Sequence, residues 1–535
     1  MRERFSNNFQ LVKHILKREW LNTTIWLIII IGLTLVVAVV FNDLYSSPDA
    51  RLGMAQTMQN PAMVAMVGPV YSLDNYTNGV MYAGMMLLFS ILAVAVMNIF
   101  LIIRYTRKDE ENHRLEVIRS LPVGRLSNLS STIIVCFLVN LILALMAGGG
   151  LYILNITSMN LGSSLLYGAC LGVSGMFFGS IAALFSQICS SSKMAVLSSL
   201  IFLGATYLIR AIGDVSQDYL SYISPLGLIM KSEVFAHNYW WPIIILLSGS
   251  IIVLIISFYL NSIRDLGSGL IAAKPGRTSA SSFFQTYFGL TLKLLKTTLI
   301  GWGSSVLFLG VAYGAVFGDL EKFLEGSELM QQMFLNNEAF TFAEQFMTTL
   351  MVIAAILITI PTLIVVLKIH HEEKKGRLEP IYAKKISRKR ILGNYLIFSF
   401  LTSIIMMLLF VMGLWMGEYY AMKEPISFLV ILSSGMSFLP AIWFMIGSCA
   451  LLISFFPKLS KLIWLFLGFS FFIVYLGKLL NVPDWLVKLV PFGLIPKIPV
   501  ETFNLWPLIV LIILTITMLI ISFWGYNNRD IGVNN

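Results

Sequence analysis

Residues Gly79–Ile103 read GVMYAGMMLLFSILAVAVMNIFLII, and Arg104–Glu116 continue as RYTRKDEENHRLE. The first stretch carries no formal charge and is long enough to cross a bilayer, because a helix needs about 20 apolar residues to span the hydrocarbon core. The second stretch is dense in charge and cannot follow it into the membrane. A boundary this sharp reads as a membrane-spanning helix that ends at a water-facing elbow. The same pair of textures recurs later: an apolar run over 345–368 leads into Lys368 and then HHEEKKGRLE at His370–Glu379.

The rest of the chain agrees. Of 535 residues, 57% are hydrophobic and 12% charged, with a mean hydropathy of +0.83. A soluble chain of this length would need far more charge to cover its surface. Spans are predicted near 24–41, 79–103, 132–154, 164–187, 195–212 and 242–260, then near 301–318, 345–368, 394–416, 428–455, 461–479 and 505–525. The predicted fold is thus an all-α polytopic membrane protein of about twelve transmembrane helices. Met1–Trp20 is polar and basic, without a signal-peptide core, so the first span is expected to be retained. Cys136, Cys170, Cys189 and Cys449 have no paired spacing and read as small buried hydrophobes.

Charge sets the expected orientation. Arg2, Arg4, Lys13, Lys17 and Arg18 precede the first span, and the 104–125, 261–299 and 369–393 segments are rich in Lys and Arg. The 319–344 loop instead carries Asp319, Glu321, Glu325, Glu328, Glu338 and Glu344 against Lys322. The positive-inside rule then puts both termini in the cytoplasm. It also accounts for the net charge of +10 without nucleic acid. Amphipathic stretches before the first span of each half (Phe9, Val12, Ile15 and Leu16; Tyr287, Leu290, Leu294 and Leu295) are expected to lie in the interface as elbow helices.

The chain contains an internal repeat. Arg114-Leu115-Glu116 returns 263 residues later as Arg377-Leu378-Glu379, with Asp109-Glu110 facing Glu372-Glu373, Ile118 facing Ile381 and Arg125 facing Arg388. Pro225-Leu226-Gly227-Leu228-Ile229 returns 266 residues later as Pro491-Phe492-Gly493-Leu494-Ile495. Trp241-Pro242 returns as Trp506-Pro507, and Tyr207 to Arg210 as Tyr475 to Lys478. Four matches in one order imply two six-span halves, 1–265 and 266–535. An even span count gives both halves the same topology, so a pseudo-twofold axis along the membrane normal is expected.

Together, residues 104–125 and 368–390 hold 22 of the 64 charged residues, which reads either as a pair of solvated loops or as docking elements for a soluble partner. Acids near the start and bases near the end of each also suit a short helix. The run Arg107-Lys108-Asp109-Glu110-Glu111-Asn112-His113-Arg114-Leu115-Glu116, closing on Pro122-Val123-Gly124-Arg125, resembles the coupling-helix motif of ABC-2-type exporter permeases. Its usual form has acids, Gly-Arg-x-Glu and a later Pro-Val-x-Arg. The second copy keeps Gly376-Arg377-Leu378-Glu379 but has Lys385 where the first has Pro122, and His113 replaces the glycine in the first. The whole chain resembles the fused twelve-span branch that exports polyketide and polyether antibiotics of the tetronasin type.

This resemblance implies a permease that effluxes hydrophobic or amphipathic compounds across the bacterial plasma membrane and gives drug resistance. It implies coupling helices that receive two copies of a separate ABC ATPase subunit. The coupling residues would be Asp109, Glu110, Glu111, Arg114, Glu116, Arg125, Glu372, Glu373, Arg377, Glu379 and Arg388. It also implies that the second and fifth spans flank the pathway. That offers Met85, Met86, Phe89, Phe202, Tyr207 and Arg210 in one half, and Phe346, Met347, Met351, Phe472, Tyr475 and Lys478 in the other. Arg210 and Lys478 read either as snorkelling cations or as charges flanking the outer pathway. Pro225, Gly227, Pro491 and Gly493 would turn the outer loops and gate the exit, proline fixing φ and glycine allowing the reversal.

No phosphate-cradling G-x-x-x-x-G-K-[ST] run occurs, so ATP and Mg would belong to the partner and this chain is expected to bind no cofactor. His370-His371 point about 100° apart on a helix and make a poor metal pair. No catalytic constellation is present, which argues against an enzyme. The alternatives are an ion-coupled secondary transporter, which would carry acids deep in its spans, and a membrane sensor or assembly subunit.

Overall fold

The computed structural model describes residues 2–59, 61–216, 218–271, 278–319, 342–383, 386–422, 425–476, 483–501 and 504–529. Lys478, Lys385 and the acidic stretch 320–341 lie outside the described residues. Twelve helices among the described residues are long and apolar enough to cross a membrane, and no strand occurs there. The protein is an all-α, multi-pass membrane protein.

The chain divides into two compact units, Met1–Gly276 and Arg277–Asn535. The first holds α1 (Asn8–Leu44), α2 (Asn78–Tyr105), α3 (Ser127–Ile153), α4 (Leu161–Ile188), α5 (Ser192–Ser216) and α6 (Trp241–Ile263). The second holds α7 (Tyr287–Val316), α8 (Phe342–Lys374) and α9 (Arg388–Ala421). It continues with α10 (Phe428–Met436 and Leu439–Phe455), α11 (Leu462–Leu476) and α12 (Leu505–Asn528). The amphipathic stretches are continuous with the first spans. Asn8–Leu44 is one 37-residue helix whose early turns bury Leu11, Val12, Ile15 and Glu19, and Tyr287–Val316 runs unbroken for 30 residues.

Each unit packs around its second and fourth long helices. In the first, a glycine stripe on α4 admits α3: a Cβ at Gly172 would lie 2.9 Å from the Asn140 carbonyl. Small residues let helix backbones close in this way where lipid offers no hydrophobic drive. Asn98 and Asn140 then exchange amide hydrogen bonds of 2.7 and 3.0 Å between α2 and α3, in the buried centre. In the second unit the tight crossing is α7 on α9, where a Cβ at Gly310 would lie 2.5 Å from the Phe410 carbonyl. The same strategy therefore serves different helix pairs.

The link between α1 and α2 is helical as well, over Pro48–Met58, Pro61–Val67 and Leu73–Asn75. No hydrophobic period had pointed to these pieces. At the far end of α9, Glu418 is fully buried and accepts from the Ile426 N–H at 2.6 Å. The helix runs past the predicted end at 416 and carries this acid inward with it.

Candidate functional site

The first elbow breaks into two short helical pieces, whereas in the second α8 itself runs on to Lys374 and one short piece follows. The two pieces of the first are Arg107–Glu111 and Arg114–Arg119, joined through His113 at φ 56°. In the second, Gly376 at φ 66° occupies the corresponding joint before Glu379–Tyr382. A left-handed residue is needed at this point, and only glycine takes that conformation without steric cost.

Asp109, Glu110 and Glu372 of the elbows do not face outwards, whereas Glu111, Glu116 and Glu379 are exposed. Glu110 is buried and accepts from Arg264 at 2.8 and 3.0 Å, from Arg107 at 3.2 Å and from the Gly267 N–H at 2.6 Å. Arg264 is the residue that caps the C-terminus of α6. Asp109 is also buried, held by Arg18 of α1 through bonds of 2.8 and 3.0 Å and by Arg114 at 3.2 Å. Glu111 caps α5, accepting from the Ser192 N–H at 2.9 Å. Glu19 within α1 takes Arg104 at 2.5 Å and the Tyr105 hydroxyl at 2.6 Å.

The second unit repeats this wiring. Glu373 accepts from Arg529, which caps the C-terminus of α12. Glu372 pairs with Arg377 at 3.2 Å, as Asp109 does with Arg114. Arg388 donates to the Arg529 carbonyl at 2.8 Å, as Arg125 donates to the Arg264 carbonyl at 2.9 Å. These three contacts recur at the offsets of the sequence repeat, which carries the duplication down to individual atoms. Each elbow is clasped to the end of the last helix of its own unit.

Arg264 and Arg529 were missed at the level of sequence, although a signal was present. Ile255-Ile256-Ser257-Phe258 through Arg264-Asp265 recurs as Ile520-Ile521-Ser522-Phe523 through Arg529-Asp530. A lone arginine after an apolar span reads as a membrane-edge charge, and its partner lies 154 residues away in the first unit.

Exposure is concentrated on Arg114–Leu121. Val117 is 69% and Leu121 58% exposed, and His113 and Glu116 pair at 2.9 Å on the same open surface. Leu115 and its counterpart Leu378 are buried and seat the two pieces. In the second elbow Tyr382 is sunk beside Glu373 and Tyr526, bonding the latter's hydroxyl at 2.8 Å. Burial pushes its own hydroxyl up to about 12, so it stays a neutral donor.

The far end of the first unit is a second cluster. Arg210 is fully buried, so it does not snorkel: it pairs with Asp214 at 2.9 Å and donates to the Ala65 carbonyl at 2.6 Å. Tyr207 donates to the Met66 carbonyl at 2.9 Å. The arginine therefore fastens the α1–α2 link to α5, a role that burial without a partner would make very costly. Gly227 and Gly493 do not reverse the chain through positive φ. Each is needed because its Cα lies against an earlier peptide, with an added Cβ 2.9 Å from the Ser221 carbonyl carbon or 3.0 Å from that of Val487. Pro225 and Pro491 open the short helical turns at these points.

The remaining pathway residues scatter. Met85, Met86, Phe202 and Phe346 are half-buried, while Phe89, Phe472 and Tyr475 are exposed. Met347 and Met351 are fully enclosed in the core of the second unit, which makes them packing residues there. No cluster of three or more metal-ligating side chains occurs among the described residues.

Comparison with known proteins finds two similarities. Residues 284–527 match the model of the C-terminal domain of the multidrug efflux system permease Rv1217c. The chain is 27% identical over 549 residues to the multidrug efflux system permease protein Rv1217c of Mycobacterium tuberculosis, an alignment covering 98% of this chain and 96% of the relative.

Proposed function

We propose that this protein is the membrane permease of an ATP-driven exporter that removes hydrophobic and amphipathic compounds, polyether and polyketide antibiotics among them, across the bacterial plasma membrane. The observation that carries the reading is the pair of clasped elbows within a chain alignable end to end with a multidrug efflux permease. An elbow held by buried ion pairs at one face and open at the other is suited to pass force from a soluble partner to the helices behind it. Two copies of a separate ABC ATPase would dock beneath, supply ATP and Mg, and press on His113, Arg114, Glu116, Val117 and Leu121 in the first unit and on Arg377 and Glu379 in the second. Glu110, Glu373 and their arginines would transmit that push to α6 and α12, while Asp109, Glu111, Arg125, Glu372 and Arg388 hold the elbows in shape. Both termini would then be cytoplasmic.

The test is uptake of a hydrophobic dye into inverted membrane vesicles from cells that carry this gene with and without the gene of the proposed ABC ATPase partner. Uptake should require both genes and ATP. A second reading, ion-coupled transport, draws on Glu418, whose Oε2 has no hydrogen-bond partner among the described residues. Uptake driven by a proton gradient without ATP would select that reading and defeat the first.

A further inference from the structure

Helices α7 and α9 pack side by side, with a tight contact towards each end. At one end Asn394 donates to Thr291 at 2.7 Å and Phe288 stacks on Phe398 with ring centroids 4.4 Å apart. At the other, Gly310 and Gly413 bring the two backbones together. Between these pins lies a groove of roughly 460 Å³, walled by Leu292, Ile300 and Leu307 on α7 and Leu401, Ile405 and Leu409 on α9. Its back is closed by the buried cluster of Leu295, Val365 and Phe398. Its front is open: Ile300 is 60%, Leu401 43% and Ile405 51% exposed. From Leu292 to Leu307 it runs ~22 Å along the helix, most of the way across a hydrocarbon core.

The lining offers nothing but hydrocarbon. Its two hydroxyls are spent on their own helices, Ser304 bonding the Ile300 carbonyl at 3.0 Å and Thr402 the Phe398 carbonyl at 2.7 Å. Among the described residues, charged groups stand beside the groove only in its half nearer the elbows. Lys296 lies on the stripe of α7 that lines the groove, one turn before Ile300, and Arg390 lies two turns before Phe398 on α9; both are exposed. An apolar slot that opens sideways and carries two cations along its elbow-end edge, with no acidic residue on either helix from 287 to 316 or 388 to 416, is complementary to an anionic amphiphile of the bilayer.

We propose that this groove holds an acyl chain of an anionic phospholipid, with the headgroup phosphate met by Lys296 and Arg390. Long basic side chains reach such a headgroup while their stems stay against apolar surface. The bound chain would fill the groove between the two pins, and would fix α7 against α9 at the face where the bilayer meets the second unit. This proposal does not depend on what the protein transports.

The test is native mass spectrometry of the detergent-purified full chain, offered phosphatidylglycerol or phosphatidylcholine with the same acyl chains. Wild type should retain a tightly held phosphatidylglycerol and prefer it about tenfold. Gly303→Leu places a branched side chain in the groove, since a Cβ there already lies 3.3 Å from Leu409, and should lose both lipids. Lys296→Glu with Arg390→Glu leaves the packed lining untouched, so it remains informative if the first variant fails to fold. It should abolish the preference while phosphatidylcholine retention persists. A wild-type lipid pattern in folded Gly303→Leu, or an intact preference in the double variant, overturns the proposal. So does displacement of the retained lipid by a hydrophobic dye, which would assign the groove to cargo.

Discussion

Arg107 of the first elbow stands where the second has His370, and the two side chains fasten their elbows differently. Arg107 is 1% exposed and reaches Glu110 at 3.2 Å, the Ser190 carbonyl at 2.6 Å and the Ser268 carbonyl at 2.9 Å. It thereby ties the elbow to the α4–α5 turn and to the segment after α6. His370 stands 3.9 Å from Glu373, beyond hydrogen-bonding distance. The first elbow gains a further tether to α1 through Arg18 and Asp109, and Asn7 donates to the Pro122 carbonyl at 2.7 Å. The second instead runs Arg529 on to the Ile453 carbonyl at the end of α10. A duplicated scaffold has kept two ion pairs and one arginine–carbonyl bond in each copy and rebuilt what surrounds them. The lesson is that sequence symmetry in the elbows does not make them mechanically equal.

This difference can be broken in order of size. Glu110→Ala leaves Arg264 and Arg107 buried without their carboxylate, and removing one partner of a buried pair costs about 3–5 kcal/mol. Glu373→Ala should cost less, because it strips one arginine rather than two, and Arg529 is 13% exposed. Thermal unfolding in detergent checks both, and equal losses would erase the distinction between the elbows. Arg107→His would make the first elbow resemble the second. It should cost about 1–3 kcal/mol, because carbonyls of Ser190 and Ser268 lose a buried donor. The smallest effect belongs to the joints. Gly376→Ala should destabilise by about 1 kcal/mol because the joint needs positive φ. His113→Gly should change stability by less than that, since relief of the left-handed strain is offset by glycine's greater freedom when unfolded. A larger loss in His113→Gly would mean that the exposed pair with Glu116 matters more than surface pairs usually do.

How far the sequence could be read follows from where each signal is stored. Apolar length is local, so all twelve spans were legible, and the elbow repeat was legible because Arg-Leu-Glu is contiguous in both copies. The direction in which Glu110 and Glu373 point was not, because it depends on Arg264 and Arg529 more than 150 residues away. Charge density alone suggested an outward docking face. Arg210 was legible only as a choice between snorkelling and flanking the pathway, because Asp214, one turn on, and the Ala65 carbonyl are brought around it only by the fold. The glycines of the Pro-x-Gly turns read from sequence as backbone reversals, whereas their need is for space against a neighbouring peptide.

The most direct test of the account is to place charge on the open side of the first elbow without touching its clasp. Val117→Asp with Leu121→Asp alters two side chains that are 69% and 58% exposed and make no contribution to the buried ion pairs. In vesicles that also carry the proposed ABC ATPase partner, this variant should insert and unfold like wild type but lose most ATP-dependent dye uptake. Wild-type uptake in the variant would contradict the claim that this exposed helix receives the push of a motor subunit.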